Sequence, residues 1–512
     1  MPVSVRNISL AVLSIAGALS APTVLAQAHQ PKQPNIVFLL ADDLGYGDLG
    51  CFGQTKIHTP NLDTMAQEGM RFTRHYAGNA VCAPSRCVLM TGMHPGHAEV
   101  RDNREAQTEG QYPLSASSIT LAALLKQQGY ATGAFGKWGL GPVGSVGDPN
   151  MKGFDEFFGY NCQRQAHNYY PTYLYRNNTK IPLNNVAFSP YQKLQKGADP
   201  LAAESYSGFA GNEYAPDLIA EQARNFIKAQ ATAHKPFFLY YPTTVPHVAL
   251  QVPEDSLAEY LGKLDDTPYL GDQSYLPHRA PHAAYAAMVT RMDKEIGRIF
   301  ELVKQLGLDD NTLFVFTSDN GPVYDRVGGS DAAYFNSAGP LNGFKGSLYE
   351  GGVRVPMIVR WRGRVKAGAV SERITGFEDW LPTLLDAAGG KAGRKAAGNV
   401  DGVSFLPAIL GKHEAPRKFM YREFSAYGGQ QAIWSGEWKA IRQKLMPTKK
   451  IPNPAIATEL YNISTDAGET QNVAAQHPDI VAHLESLMLR EHTPSAEFPI
   501  PVLDALAKPA NR

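Results

Sequence analysis

The chain has 512 residues, with 48 Lys plus Arg against 48 Asp plus Glu and 44% hydrophobic residues. That length and apolar content suit one very large α/β domain or two to three ordinary ones with a sizeable core. The balanced charge excludes a global field that would draw nucleic acid or an anionic membrane, so any anion site must be local.

In chain order, Arg6 precedes the apolar stretch ISLAVLSIAGALSA, and Val24-Leu25-Ala26 offers small residues at a cleavage position. The run is short for a bilayer span, so residues 1–26 read as a secretory signal peptide cut after Ala26. The mature protein is then periplasmic or secreted, with no membrane contact once the signal is gone. Its cysteines, Cys51, Cys82, Cys87 and Cys162, are too sparse for a stapling framework. A Cys82–Cys87 bridge stays open.

Asn35-Ile-Val-Phe-Leu-Leu-Ala is an apolar run of strand length that ends abruptly in Asp42-Asp43, as strands covered on both faces do. SSITLAALLKQQGY (117–130) predicts an amphipathic helix with a Ser N-cap, ended by Gly129 before the strand ATGAF, with Lys137 just beyond. KPFFLYYPTT (235–244) is another buried strand, and His247 lies in the loop after it. Between 285 and 308, Met288, Met292, Ile296, Ile299 and Val303 recur at helical spacing and define a packing face. TLFVFTSDNG again carries a strand into acidic and amide residues, Asp319 and Asn320. VRVPMIVRW (353–361) is a further strand, and GFEDWLPTLLDAAG reads as a helix. After the linker-like GGKAGRKAAGN (389–399), short alternating strands (KFMYREF, QAIWSGEWKAIRQ) and a final helix near DIVAHLESLMLREH predict a smaller α+β subdomain. Strand, helix, strand with chemistry at the strand ends is the doubly wound arrangement, whose sites lie beyond the carboxyl edge of the sheet.

Asp42, Asp43, Asp319 and Asn320 would then supply three carboxylates and an amide carbonyl at the ends of two neighbouring strands. Oxygen-only ligands suit Ca²⁺ or Mg²⁺ and disfavour Zn²⁺. Arg86, Lys137, His247 and Lys345 all fall in or near loops after strands. Beside a divalent cation they would make a pocket for a tetrahedral oxyanion.

Cys82-Ala-Pro-Ser-Arg86, followed by Thr91-Gly92, matches the Cys-x-Pro-x-Arg signal of the sulfatases. From about residue 33 to about 475 the chain resembles that family, a branch of the alkaline phosphatase superfamily. The resemblance implies an α/β fold with a large mixed sheet flanked by helices, a catalytic domain over 33–400 and a C-terminal subdomain over 415–500. It implies that a maturation enzyme oxidises Cys82 to Cα-formylglycine, whose hydrate has one hydroxyl to attack sulfur and another to expel sulfate. It assigns the metal, Ca²⁺ or alternatively Mg²⁺, to Asp42, Asp43, Asp319, Asn320 and residue 82. It gives Arg86 the hydrated aldehyde, Lys137 and Lys345 the sulfate oxygens, and His247 the proton for the leaving alcohol.

One position departs from the pattern. Many sulfatases read Gly-Lys-Trp-His-Leu-Gly where this chain has Gly136-Lys-Trp-Gly139-Leu-Gly. His167, in NCQRQAHNYYP, is the candidate replacement for the lost imidazole; otherwise it packs among Tyr160, Tyr169 and Tyr170 or meets the sugar. Arg101, Asn103 and Asn168 are loop residues that could read a sugar. The expected partner is a sulfated small molecule or glycan, with carbohydrate favoured over aryl sulfate. The alternatives are a phosphonate monoester hydrolase or phosphodiesterase of the same superfamily, and a catalytically silent sulfoglycan-binding protein.

Overall fold

Strand β1 (Asn35–Ala41) is buried at every position because both of its faces are covered: Val37, Leu39 and Ala41 enter one core, and Ile36, Phe38 and Leu40 the other. The structure is a computed structural model that describes residues 1–4, 33–106, 109–324, 326–390, 395–452 and 454–507. The apolar stretch and cleavage position of the expected signal peptide lie outside the described residues, as does part of the 389–399 linker.

The remaining strands of the main sheet are β2 (Met70–Tyr76), β3 (Ala131–Lys137), β4 (Glu156–Tyr160), β5 (Tyr173–Arg176), β6 (Thr179–Pro182), β7 (Phe237–Pro242), β8 (Thr312–Ser318), β9 (Arg354–Trp361), β10 (Ala369–Ser371) and β11 (Thr375–Gly376). They form an 11-stranded sheet in the order β10-β2-β9-β8-β1-β7-β3-β4-β5-β6, with β11 also paired to β2. The stretch β8-β1-β7-β3-β4 is parallel, whereas β9 runs antiparallel to both its neighbours. The chain leaves β1 for β2 on one side and returns to β3 on the other, which makes β1 the switch point where a crevice opens at the carboxyl edge.

Helices cover both faces. The long one, Pro281–Gln305, buries Met288, Met292, Ile296, Ile299 and Val303, the face expected from their spacing. The predicted helix at 117–130 is shorter, Leu121–Gln127, and its cap is Thr120, not a serine: the Thr120 side chain accepts from the Ala123 amide at 3.2 Å.

The last strands, β12 (Met420–Phe424), β13 (Gln430–Ser435), β14 (Trp438–Arg442) and β15 (Thr458–Asn462), form a separate antiparallel sheet in sequence order. One face packs Leu484 and Met488 of helix Pro478–Glu491 against Tyr421, Ile433, Ala440 and Leu460. The other packs Met420, Phe424, Ala432 and Trp434 against Tyr76, Ala80 and Val81, the segment leading into Cys82. Polar contacts fix the same junction: Asn79 Nδ2 donates to the Glu423 carbonyl at 3.0 Å, and Arg422 Nε to the Ala77 carbonyl at 2.9 Å. All four cysteines are free, so the Cys82–Cys87 bridge is not made. Among the described residues no helix is long and apolar enough to cross a membrane.

Candidate active site

The β1–β8 register pairs Ala41 with Ser318, so the two acidic strand ends emerge side by side. Asp42 and Asp43 follow β1, and Asp319 and Asn320 follow β8; all four are buried. Asp43 sits in the left-handed region, at φ 65°, where its amide donates to Asp319 Oδ1 at 3.2 Å. A non-glycine residue held there is backbone strain of the kind concentrated at functional sites.

Cys82 opens the helix Cys82–Thr91 and is 1% exposed. Its Sγ lies 3.4 Å from Asp42 Oδ1, 3.5 Å from Lys137 Nζ and 3.7 Å from Lys345 Nζ. Lys137, the last residue of β3, pairs with Asp42 at 2.6 Å. Lys345 pairs with Asp43 at 2.8 Å. Its own loop is tied to the other two, because the Lys345 amide donates to the Pro322 carbonyl and the Gly346 amide to the Ala80 carbonyl, both at 2.9 Å. Arg86, one helical turn after Cys82, bonds Asp319 at 2.8 Å and the Lys137 carbonyl and lies 3.3 Å from Asp42. Its guanidinium holds the carboxylates and the Lys137 strand end together. His247 presents Nε2 to Asp43 at 3.4 Å, and its Nδ1 faces the Val248 carbonyl.

The charges here are mutually set. Burial alone would push Asp42 up, but Lys137, Arg86 and Lys345 hold its carboxyl well below the ordinary range. Burial raises Asp43, and burial together with the Asp42 charge raises Asp319 to about 6. Burial works against the Lys345 ammonium, yet Asp43 keeps it firmly charged. Burial and then Lys345 and Lys137 push His247 well below its usual value. The Cys82 thiol is pushed up by burial and by Asp42, so as a thiol it is no nucleophile at neutral pH. Asp42, Asp43, Cys82 and His247 bring their ligand atoms together closely enough to hold one metal ion. Asn320 Oδ1 is buried and finds no partner among the described residues. Three carboxylates and an unpaired amide oxygen fit a hard divalent cation.

These are the features of a pocket for a tetrahedral oxyanion, and comparison with known proteins decides the family. Residues 34–390 match the Sulfatase family, and residues 344–493 match the C-terminal region of N-sulphoglucosamine sulphohydrolase. The chain belongs to the sulfatase family. It is 31% identical to the N-acetylgalactosamine-6-O-sulfatase of Bacteroides thetaiotaomicron over 89% of this chain and 93% of that protein. It is also 31% identical to human arylsulfatase A, over 90% and 87% of the two chains. The crystal structure of Ps i-CgsB in complex with k-i-k-neocarrahexaose superposes with a TM-score of 0.70 at 27% identity, covering 90% of this chain and 92% of that one.

Other residues of this sulfatase fall differently from expectation. His167 does not hydrogen-bond Cys82. Its ring lies flat on His247, with centroids 4.8 Å apart and planes 6° apart, and its Nδ1 meets the Tyr191 hydroxyl. Tyr191 and Tyr275 complete an aromatic enclosure around the two imidazoles. Arg101 is a correction: it is buried, with Nη1 on Glu423 at 2.6 Å and on the Thr493 carbonyl at 2.7 Å, and Nε on the Ala98 carbonyl at 2.9 Å. Those bonds tie this loop to β12 and engage Nε and Nη1 within the protein. Asn103 caps the catalytic helix, its Oδ1 accepting from the Ala83 amide at 2.9 Å. Asn168 borders a cleft of about 440 Å³ shared with Glu105, Arg164, Tyr173 and Tyr191. Nothing in the sequence had marked Tyr191 or Tyr275, since an aromatic residue in a loop has no local signal for the partner it meets.

Proposed function

We propose that this sulfatase is exported and hydrolyses carbohydrate sulfate monoesters, using a formylglycine made from Cys82 and a bound Ca²⁺, with Mg²⁺ the alternative. The observation that carries this reading is Cys82 itself: the residue of the Cys-Ala-Pro-Ser-Arg signal stands within 3.4–3.7 Å of Asp42, Lys137 and Lys345. The names of the relatives, an N-acetylgalactosamine-6-O-sulfatase and a complex with k-i-k-neocarrahexaose, support a sugar as the alcohol. The cleft beside Asn168 and Tyr191 has the size of an ordinary small-molecule pocket.

The hydrated formylglycine supplies a geminal diol, one hydroxyl to attack sulfur and the other to release sulfate. Asp42, Asp43, Asp319 and Asn320 would hold the cation, which would supply positive charge to offset that of the sulfate. The protein's own groups do the rest. Lys137 and Lys345 each bring an ammonium group close to residue 82 and hold sulfate oxygens in a water-poor pocket, where such contacts are strong. Arg86 fixes the strand ends on which both the carboxylates and Lys137 depend. His247 has Nδ1 engaged by the Val248 carbonyl, which leaves Nε2 for the leaving oxygen. An arriving sulfate anion favours its protonated form, so substrate binding arms the donor.

The test is the mass of the tryptic peptide HYAGNAVCAPSR from protein made in its native host, together with sulfate release from sugar and aryl sulfates. Formylglycine at position 82 and multiple turnovers are expected. A thiol at Cys82 throughout an active preparation would overturn the mechanism, and turnover of phosphate diesters without sulfate release would overturn the reaction.

A further inference from the structure

The pairing of β3 with β4 continues past their ends: the Trp138 amide donates to the Tyr160 carbonyl at 2.9 Å and the Gly139 amide to the Asn161 carbonyl at 3.2 Å. This lays residues 161–163 against the turn that follows Lys137, whose ammonium reaches Asp42 and Cys82. Asn161 is fully buried, and neither its Oδ1 nor its Nδ2 has a hydrogen-bond partner among the described residues. Gln163 is 5% exposed, and its Nε2 is equally unpartnered. Gln163 lies directly over Gly139: a Cβ at residue 139 would stand 2.4 Å from Gln163 Nε2 and 2.8 Å from its Cγ. Gly139 also has φ +83°, which L side chains rarely adopt. The missing imidazole is thus not an empty place but the room that Gln163 uses.

Buried amides are nearly always paired, because an unpaired one destabilises the fold. Gln128, Asn150 and Gln443 also keep unpaired amide atoms elsewhere in the fold; what sets Asn161 and Gln163 apart is that they lie two residues apart against the turn after Lys137, where a ligand would complete both. Their chemistry narrows what that ligand presents. Sulfate oxygens only accept, so sulfate would satisfy Nδ2 and Nε2 and leave Asn161 Oδ1 unpaired. A metal ion would take Oδ1 and leave both donors. A hydroxyl or an acetamido group both donates and accepts, and matches the set.

We propose, resting on the sulfatase reading, that Asn161 and Gln163 recognise the hydroxyl or acetamido groups of the sugar next to its sulfated position, and that Gly139 serves this recognition by making space. Sites built to hydrogen-bond a substrate group discriminate strongly against compounds lacking it.

The experiment compares Asn161→Leu and Gln163→Met, which keep volume and remove the polar atoms, on two substrates. One is 4-nitrophenyl sulfate, whose alcohol has no hydroxyl or acetamido group. The other is the best-hydrolysed member of a panel of sulfated monosaccharides that includes N-acetylgalactosamine 6-sulfate. The ratio of kcat/KM for sugar over aryl substrate is expected to fall about tenfold in each variant, mainly through KM, while melting temperature holds or rises because a buried unpaired group is gone. A ratio within about twofold of wild type, or a melting temperature that falls, would overturn the proposal. Wild type that cleaves the aryl ester but no sugar sulfate also overturns it, and leaves the sulfatase reading standing. Wild type inactive on both substrates rejects the reading on which the proposal rests.

Discussion

His167 stacks face to face on His247, with ring planes 6° apart. Burial, followed by neighbouring positive charge, pushes both imidazoles well below their usual value, so the pair carries no more than one proton. On the proposed mechanism the ring nearer Asp43 would be the donor, and the outer ring, held by Tyr191, would fix its plane. His247→Ala should lower kcat about a hundredfold or more on sugar sulfates and less on aryl sulfates, whose leaving groups need no proton. His167→Ala should cost about tenfold through misplacement of His247. Steady-state rates across aryl sulfates of graded leaving-group acidity separate the two: only His247→Ala should steepen that dependence.

Cys82→Ala should abolish turnover without loss of fold, because residue 82 lies at the start of a helix and not in the middle of a core. Cys82→Ser should accept sulfate once and stall, since a single hydroxyl has no neighbour on the same carbon to expel it. Intact-mass measurement after exposure to substrate would detect the stalled ester, and sustained turnover by either variant would contradict the mechanism.

Asp319→Ala should weaken both cation binding and catalysis, and chelation should lower the melting temperature, because an ion held only by the folded state stabilises it. The pH dependence has a definite sign. Burial and the Asp42 charge raise Asp319 from 3.8 to about 6. The metal-free fold therefore binds this proton more tightly than the unfolded chain does. Its contribution is fully present below about pH 4 and is lost as pH rises towards 6. Protons and cation compete for the carboxylate, so cation affinity should drop as pH falls below about 6. Calorimetric titration with Ca²⁺ at about pH 5 and about pH 7 checks this; equal affinities would exclude Asp319 as a ligand.

Gly139→His, which rebuilds the common family motif, should destabilise the protein and fail to raise its rate. A side chain there must adopt φ +83° and displace Gln163 from 2.4 Å. The expected loss is about 1–3 kcal/mol, read from chemical denaturation. Full stability with a faster rate would show that the loop can restore the imidazole on its own.

The strands buried on both faces were legible from residues alone, because β1, β7 and β8 carry apolar runs that lead into charged or turn residues, and β9 carries Val-Pro-Met-Ile-Val between two arginines. Strands β4, β5 and β6, which run out towards one edge of the sheet, were not, being only five, four and four residues long. The positions of Asp42, Asp43, Asp319 and Lys137 could be read because each stands at a strand end. Arg101 was misread as a free loop residue, since its partner Glu423 lies 322 positions away. Asn161 and Gln163 gave no signal, because what distinguishes them is burial without a partner, and that has no local sequence pattern.

The closure of the loop before Cys82 by strand β12 sets a clock for biosynthesis. Asn79 is joined to Glu423 across 344 positions of chain, so this wall of the pocket cannot exist until most of the protein has been made. Once it does, the residue 82 side chain is sealed from any macromolecular catalyst, at 1% exposure. On the proposed formylglycine reading, oxidation of Cys82 would therefore belong to the interval between its emergence and the docking of the C-terminal sheet. A host that translocates or folds the chain faster than it modifies the thiol will accumulate a correctly shaped protein that can never be activated afterwards.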